Sequence, residues 1–329
     1  MTLGFIVGKF YPPHRGHKHL IATARGQCDR LVVMIAHHPT QRISGELRKA
    51  WLEEIHPDCE IHLVPDTLAD DSAAWAKFTI EHLGRAPDMV FTSEAYGDPY
   101  ARHMQCRHVL VDLERSAVPI SATRIRDRPL DHLDFLEPCV RAHYVRRVVL
   151  IGAESTGKTT LARALAGRYG TGWVPEYGRE HWEKKVAGLP MEGPLPGFAD
   201  EEFVHIATEQ QRRENAAARA ANRILFCDTN AWATGLWCER YQGHRHPPVD
   251  AIGAADRVDM YLLAHPDFPF VQDGFRDGEA IREWMHARFA EEAGRSGVPL
   301  LHVRGDERTR VAQIATALAG TFNVETPAA

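Results

Sequence analysis

Two histidines, His14 and His17, stand three residues apart in the stretch "GKFYPPHRGH" near the start of the chain. A short apolar run precedes this stretch and a helical pattern follows it, which predicts a turn between a strand and a helix. At such a turn the backbone N–H groups and the helix dipole converge on one anion. Lys9 adds a cation and Gly16 lets the backbone approach closely. The sequence therefore predicts a polyphosphate site made of cations and amides.

A second stretch, "ISATRIR", has the residue types to complete such a site. Ser121 and Thr123 would cap another helix and offer hydroxyl donors, and Arg126 would present its guanidinium group to a phosphate. Neither stretch contains a carboxylate. This suits adenylyl transfer to an acceptor that is already a phosphate anion, since such a reaction needs alignment and charge stabilisation but no general base.

The second half contains "GAESTGKT", which fits the pattern of a phosphate-binding loop between a strand and a helix. Lys158 is expected to reach the β- and γ-phosphates and Thr159 to ligate Mg²⁺. The residues predicted to bind ATP here are Gly152, Glu154, Ser155, Thr156, Gly157, Lys158, Thr159 and Thr160.

Two carboxylates follow later strands, Glu176 in "VPEYGRE" and Asp228 in "ILFCDTN". A hydroxyl acceptor needs a carboxylate to take its proton, and either residue could do this while the other holds Mg²⁺ through water. The sequence favours Asp228 for the metal and leaves the base open. Tyr177 and Arg179 are candidate substrate-binding residues.

The segment "FVQDGFRDGEAIRE" resembles the segment that kinases close over phosphates, and it makes Arg276 and Arg282 candidate ATP-binding residues. The Pro- and Gly-rich segment "AGLPMEGPLPGFADEE" is expected to be a loop over a site, and a surface connection is the alternative.

These motifs lie in two series of strands alternating with helices, which predict two doubly wound parallel sheets in an α/β protein. The first series has strand-like runs at Gly4–Val7, Leu31–Ala36, Glu60–Val64, Met89–Ser93 and His108–Val111. The second has them at Arg147–Ile151, Gly172–Pro175, Ile224–Cys227, Asp259–Ala264 and Leu300–Val303. The boundary is expected near residue 142, giving domains 1–141 and 142–329.

The composition limits the class of protein. With 39 basic and 44 acidic side chains among 329 residues, the chain has a net charge of −5, which argues against nucleic-acid binding. Six cysteines without a CxxC pair indicate reduced thiols. The first strand begins at Leu3, and no apolar run reaches the length of a membrane span, so we expect a cytoplasmic protein without membrane insertion.

The HxGH and ISxTxxR motifs together resemble the nucleotidyltransferase superfamily. Followed by a P-loop kinase pattern with "EYGRE", "DTN" and "VQDGFR", the whole chain resembles the NadR-type bifunctional family. That resemblance implies a ribosylnicotinamide kinase, which makes nicotinamide mononucleotide from nicotinamide riboside, and an adenylyltransferase, which joins the mononucleotide to AMP and releases NAD⁺ and pyrophosphate. ATP would be the co-substrate of both reactions, with Mg²⁺ as cofactor.

The resemblance also implies roles for individual residues. The ATP of the first domain would be held by Gly8, Lys9, Phe10, His14, His17, Ser121, Thr123 and Arg126. Trp75 and Tyr96 would stack on the nicotinamide ring, although aromatic residues at helical spacing also fit a core. Arg308, in "RGDERTR", would lie beside the adenine of the kinase.

Well-known members of the family carry an N-terminal helix-turn-helix, which this sequence does not show before its first strand, so DNA binding is not expected. Two other functions remain open: an NAD- or ATP-sensing regulator that binds without turnover, and an enzyme that uses another acceptor at the first site, by pantetheine-phosphate-like or cytidylyl transfer. The sequence is compatible with a homo-oligomer.

Overall fold

The computed structural model describes residues 1–68, 71–188, 196–271 and 278–326. The chain divides into two compact units, Met1–Tyr144 and Val145–Ala329, each with its own five-stranded parallel sheet. The boundary expected near residue 142 falls inside the last helix of the first unit, Pro138–Tyr144. The predicted α/β fold with two parallel sheets is confirmed.

The first unit alternates strands and helices as the hydrophobic pattern predicts. Its strands are β1 (Leu3–Gly8), β2 (Arg30–His37), β3 (Glu60–Pro65), β4 (Met89–Thr92) and β5 (Arg107–Leu110). Its helices are α1 (Arg15–Arg25), α2 (Gly45–Ile55), α3 (Ser72–Leu83), α4 (Gly97–Met104), α5 (Ala122–Asp127) and α6 (Pro138–Tyr144), with 3₁₀ turns at Pro129–Asp131 and Leu133–Phe135.

Both faces of the first sheet are buried, because alternate residues of each strand pack against helices on opposite sides. Val33 and Ile35 of β2 belong to the same apolar cluster as Ile21 of α1. Val32 of β2 belongs to the cluster on the other face, with Tyr100 of α4.

The strand order of the first sheet is β3-β2-β1-β4-β5. The chain moves outward from β1 through β2 to β3 and then crosses back to add β4 on the other side of β1. In open α/β sheets, ligands bind outside the carboxyl ends of the strands at such a reversal. The stretch "GKFYPPHRGH" begins at this point, since Gly8 is the last residue of β1.

The second unit repeats the plan with longer helices. Its strands are β6 (Arg146–Ile151), β7 (Trp173–Val174), β8 (Ile224–Asp228), β9 (Met260–Ala264) and β10 (Leu300–Val303). Its helices are α7 (Lys158–Tyr169), α8 (Tyr177–Val186), α9 (Asp200–Ala218), α10 (Ala231–Gln242), α11 (Pro247–Ala254), α12 (Arg282–Arg295) and α13 (Glu307–Phe322).

The central strand of the second sheet is β6, in the order β10-β9-β6-β8-β7. Four of its residues, Val148–Ile151, are fully buried. Leu150 of β6 pairs with Asp228 of β8, so the end of β8 lies beside the start of the phosphate-binding loop.

Two further findings concern the chain as a whole. All six cysteines are free thiols. Within the part of the chain that the structure describes, no helix has both the length and the apolar character needed to cross a membrane.

Two candidate nucleotide sites

A cavity of about 900 Å³ opens at the carboxyl end of the first sheet. It is large enough for a nucleotide. All ten residues predicted for this domain border it: Gly8, Lys9, Phe10, His14, His17, Trp75, Tyr96, Ser121, Thr123 and Arg126. The structure thus brings two motifs more than 100 residues apart in sequence to one cavity, while the role of each residue stays a prediction.

The two histidines lie side by side at the start of α1. His14 is the N-cap residue, and its Nδ1 accepts a hydrogen bond from the N–H of Gly16 at 3.1 Å. Its neutral ring therefore carries the proton on Nε2. The ring of His17 stacks on His14 with 3.8 Å between centroids, and the buried ring of Phe10 lies 4.9 Å from His17. Phe10 thus belongs to the core and supports the histidines.

Burial, and then the positive charge of Arg115, lowers the pKa of His14 to about 4. The pKa of His17 is also well below its ordinary value, because of burial, then His14, then Arg115. Both rings are therefore neutral near pH 7. This corrects the expectation of a stretch made of cations, because the histidines offer N–H donors. Lys9 and Arg15 are the cations of the stretch, and Lys9 borders the cavity.

Three cations border the cavity. Lys9 pairs with Asp66 at 3.2 Å. Arg126 donates to the carbonyl of Tyr11 at 2.5 Å and to the hydroxyl of Thr123 at 3.0 Å. The third cation, Arg115, follows β5 and was missed by the sequence analysis, because no motif surrounds it and only the fold brings it to the histidines.

The two aromatic candidates differ in their surroundings. Tyr96 is partly exposed, and its hydroxyl donates to the carbonyl of Val7 at 3.1 Å. Trp75 packs edge-on against Phe78, with 5.8 Å between ring centroids, and also contacts the core. Stacking of either ring on a ligand remains a prediction.

In the second unit, the predicted phosphate-binding loop joins β6 to α7. Gly152 has φ +134°, and a Cβ at this position would lie 2.8 Å from the carbonyl oxygen of Ala264, so only glycine fits. The ammonium group of Lys158 donates to the carbonyls of Gly152 and Ala153, both at 2.9 Å. Every residue from Glu154 to Thr160 borders a cavity of about 420 Å³.

The two predicted carboxylates lie beside this loop. Glu176 borders the cavity, and its pKa is raised to about 7 by burial and by the charge of Asp228. Burial also raises the pKa of Asp228, against the opposing effects of Lys158 and Thr159. A carboxyl with a pKa near 7 suits a general base.

The residues predicted to hold Mg²⁺ fit a hard cation. The hydroxyl of Thr159 donates to Oδ2 of Asp228. The other carboxylate oxygen, Oδ1, is buried and has no hydrogen-bond partner among the described residues. An orphaned carboxylate oxygen beside a hydroxyl is the oxygen donor set that Mg²⁺ prefers.

Two buried arginines hold the phosphate-binding loop by its backbone. Arg282 donates to the carbonyls of Ser155 and Phe268, at 2.7 and 2.6 Å. Arg310 donates to the carbonyls of Thr156 and His265, both at 2.7 Å. Arg282 is buried and supports the loop, and it is not among the described residues that border the cavity, so its role as an ATP ligand stays a prediction.

The other two predicted arginines are placed differently. Arg308 is exposed in the first turn of α13 and borders a shallow surface pocket formed by that helix. Two residues further on, Arg310 reaches the phosphate-binding loop. The segment "RGDERTR" thus contains an arginine that contacts the site, but helix geometry decides which of its arginines points inward. Arg276 lies outside the described residues.

One side of the second cavity is mainly aromatic, and no motif of the sequence predicts most of its residues. Arg179 borders the cavity as predicted. Tyr177 does not border the cavity, because it is buried. Its hydroxyl lies 2.9 Å from Nε2 of His205, and its ring packs under Arg213. The aromatic wall is formed by Trp182, Phe198, Phe203, Trp237 and Tyr241.

The Pro- and Gly-rich segment contributes to this wall. Pro196, Gly197 and Phe198 border the cavity, which agrees with a loop over a site. Its last residues, from Asp200 onward, are the first turn of α9. Residues 189–195 of the segment lie outside the described residues.

Comparison with known proteins agrees with this division into two sites. A cytidylyltransferase-like family model matches residues 5–128 and an AAA domain model matches residues 147–310. The chain is 31% identical over 299 residues to the trifunctional NAD biosynthesis/regulator protein NadR of Escherichia coli K12, a match that covers 84% of this chain and 72% of that protein. The chain belongs to the NadR family.

The NadR protein of Salmonella typhimurium LT2 is 29% identical over 332 residues, covering 92% of this chain and 79% of that protein. Two solved NadR structures share the fold. One, in complex with NR, has a TM-score of 0.80 at 21% identity and covers 99% of this chain and 98% of its own. The other, with NAD and AMP-PNP, has a TM-score of 0.77 at 20% identity and covers 100% and 98%.

Membership of the NadR family confirms the predicted family, the α/β fold class and the assignment to enzymes of NAD biosynthesis. It does not support the alternative of a purely regulatory protein.

Proposed function

We propose that this NadR-family chain makes NAD⁺ from nicotinamide riboside in two ATP-dependent steps, one in each unit. The observation that carries the proposal is the pair of separate cavities, each at the carboxyl end of its own parallel sheet and each bordered by a phosphate-binding motif. NadR structures in complex with NR and with NAD and AMP-PNP support this choice of ligands.

The second unit would phosphorylate the 5′-hydroxyl of the riboside. Its aromatic wall suits a flat nicotinamide ring, and Glu176, which borders the cavity with a pKa near 7, would take the hydroxyl proton. Lys158 and the N–H groups of the loop would hold the phosphates of ATP. Mg²⁺, held by Thr159 and Asp228, would neutralise phosphate charge when bound.

The first unit would join nicotinamide mononucleotide to AMP and release pyrophosphate. The mononucleotide is already a phosphate anion, so the enzyme has to orient it and stabilise the leaving pyrophosphate. His14 and His17 supply N–H donors, and Lys9, Arg115 and Arg126 supply positive charge.

The carboxylates of the first cavity do not contradict this mechanism, because each one is engaged. Asp66 pairs with Lys9 and Glu94 pairs with Arg115 at 3.7 Å. Asp112 accepts hydrogen bonds from the N–H groups of Ser116 and Ala117.

The two activities should be separable by single substitutions in the full chain. Lys158→Ala should abolish formation of the mononucleotide from the riboside and leave NAD⁺ synthesis from added mononucleotide intact. His17→Ala should have the opposite effect. Chromatography of both products, with exposed Lys77→Ala and His103→Ala as controls, measures this.

The same assay tests the alternatives. If the unsubstituted chain bound ATP and NAD⁺ but formed neither product, a sensor would replace the enzyme. If the first site accepted pantetheine phosphate or CTP in place of the mononucleotide and ATP, the proposed adenylyl transfer would be wrong.

A further inference from the structure

A cluster of two histidines and one aspartate lies in the second unit, outside both nucleotide sites. Asp200 is the first residue of α9, and His244 and His246 lie in the loop between α10 and α11. One ligand atom from each residue lies within 4.8 Å of the other two. Oδ2 of Asp200 is the common point, 3.0 Å from Nε2 of His244 and 3.6 Å from Nδ1 of His246.

We propose that Asp200, His244 and His246 bind a divalent transition-metal ion of the Zn²⁺ class. Two imidazole nitrogens and one carboxylate oxygen are donors that zinc accepts readily, whereas Mg²⁺ and Ca²⁺ prefer oxygen ligands alone. Three protein ligands leave a coordination position for water. The site is separate from the Mg²⁺ site proposed at Thr159 and Asp228.

The hydrogen bonds around the cluster favour metal binding. Nδ1 of His244 donates to the carbonyl of Gln242 at 3.2 Å, and Nε2 donates to Asp200 at 3.0 Å. A metal ion would displace the proton of Nε2, while Nδ1 would keep its bond to the carbonyl. Histidines that ligate metals commonly donate their other ring N–H to a carbonyl in this way.

The other charged side chains near the cluster are paired with one another and do not compete for Asp200. Arg245, between the two histidines in sequence, places its guanidinium group on Asp250 at 2.5 Å and near Glu239 at 3.7 Å. Glu202, in the first turn of α9, is occupied by Lys185 at 2.5 Å and His181 at 2.9 Å. Asp200 thus remains the acidic partner of the two imidazoles.

A metal ion can reach the site from solvent, because the side chain of His244 is 53% exposed, that of Asp200 31% and that of His246 23%. Binding would join the start of α9 to the end of α10. Phe198 lies two residues before α9 and Tyr241 lies in the last turn of α10, and both border the second cavity. Nε2 of Gln242 already donates to the carbonyl of Phe198. The ion would therefore fix one wall of that cavity.

Titration of the untagged full chain with Zn²⁺, after treatment with EDTA and without nucleotide, tests the proposal. We expect His244→Ala/His246→Ala to bind one ion fewer than the unsubstituted chain. The matched control, His38→Ala/His103→Ala, removes two exposed histidines of the first unit and should bind as the unsubstituted chain does. Co²⁺ should give a visible absorption band that the first double variant loses, without a thiolate charge-transfer band.

Asp200→Asn gives an independent variant in case the double substitution impairs folding, and it should weaken binding at least tenfold. Melting temperatures measured in EDTA show whether each variant is folded without the metal. Added Zn²⁺ should raise the melting temperature of the unsubstituted chain and leave the melting temperatures of the variants unchanged. Equal stoichiometry and affinity in the unsubstituted chain and in folded variants would overturn the proposal, as would a cobalt spectrum with thiolate ligation alone.

Discussion

At the scale of single residues, the two histidines of the first cavity show how burial sets the chemistry of a motif. Their side chains are neutral in the structure, because burial lowers their pKa values. A bound triphosphate would act in the opposite direction, since a nearby anion favours the imidazolium form. Binding should therefore be linked to protonation.

We predict that ATP binding at the first site takes up protons between pH 5 and 6. The pKa of His14 is about 4 without ligand, so the ring is mostly neutral in this range and gains a proton when its pKa rises on binding. Calorimetry in two buffers of different ionisation enthalpy measures the proton uptake. The measurement uses the Lys158→Ala chain, so that ATP binding at the second site does not contribute. His14→Asn, which can still cap α1, should reduce the uptake; an unchanged value would exclude His14 as its source.

We also predict that Glu176 sets the pH dependence of riboside phosphorylation. The rate constant kcat/KM should rise with pH to a plateau above about pH 7, because only the ionised carboxylate can accept a proton and its pKa is raised to about 7. Glu176→Gln should lower the rate by about 10²- to 10⁴-fold and remove this dependence. Glu201→Gln, exposed on α9, is the control. If Glu176→Gln kept the pH dependence of kcat/KM, Asp228 would be the general base instead.

At the scale of elements, the phosphate-binding loop depends on helices that are distant in sequence. Arg282 at the start of α12 and Arg310 in α13 both donate to its carbonyls. The guanidinium group of Arg310 also bonds to the carbonyl of Gly305 and stacks 4.5 Å from the ring of Phe268. The loop is thus shaped by its own glycines and by these two arginines.

Substitution of Arg310 should therefore damage the second unit specifically. Arg310→Met leaves buried carbonyls without donors, each costing about 1–3 kcal/mol, so the unfolding of this unit should move to lower temperature. Kinase activity should fall while adenylyltransferase activity stays. Arg308→Met, exposed on the same helix, should leave the melting temperature unchanged. Calorimetry and the two activity assays measure these effects. Equal melting temperatures of the Arg310→Met and Arg308→Met variants would contradict the role assigned to Arg310.

At the scale of the whole molecule, the chain consists of two units with separate sheets, cores and cavities. The described residues that border the first cavity lie between Val7 and Arg126, in the first unit. The described residues that border the second lie between Glu154 and Tyr241, in the second unit.

We predict that the fragments 1–144 and 145–329 each fold and keep one activity. The first should make NAD⁺ from the mononucleotide and the second should phosphorylate the riboside, since each contains a complete cavity and its own core. A mixture of the two should restore the overall conversion of riboside to NAD⁺. Circular dichroism and the product assays measure this; two folded fragments without activity would mean that each site needs the other unit.

The sequence by itself determined the ten strands, the order of the two folds and the two phosphate-binding motifs that border the cavities. These features depend on local periodicity and on motifs whose geometry is set within a few residues, such as the loop from Gly152 to Thr159. That is why all ten residues predicted for the first cavity border it.

Only the tertiary structure decided which other side chains reach each site and with what charge. Arg115 and most of the aromatic wall come from segments without a motif, brought in by strand crossovers and helix packing. Within "RGDERTR", helix geometry selects Arg310 and not Arg308 to reach the loop. Tyr177 and Arg282 matched motifs, yet their side chains pack against the protein. Burial likewise made the histidines neutral and raised the pKa of Glu176, because desolvation depends on neighbours that no local pattern contains.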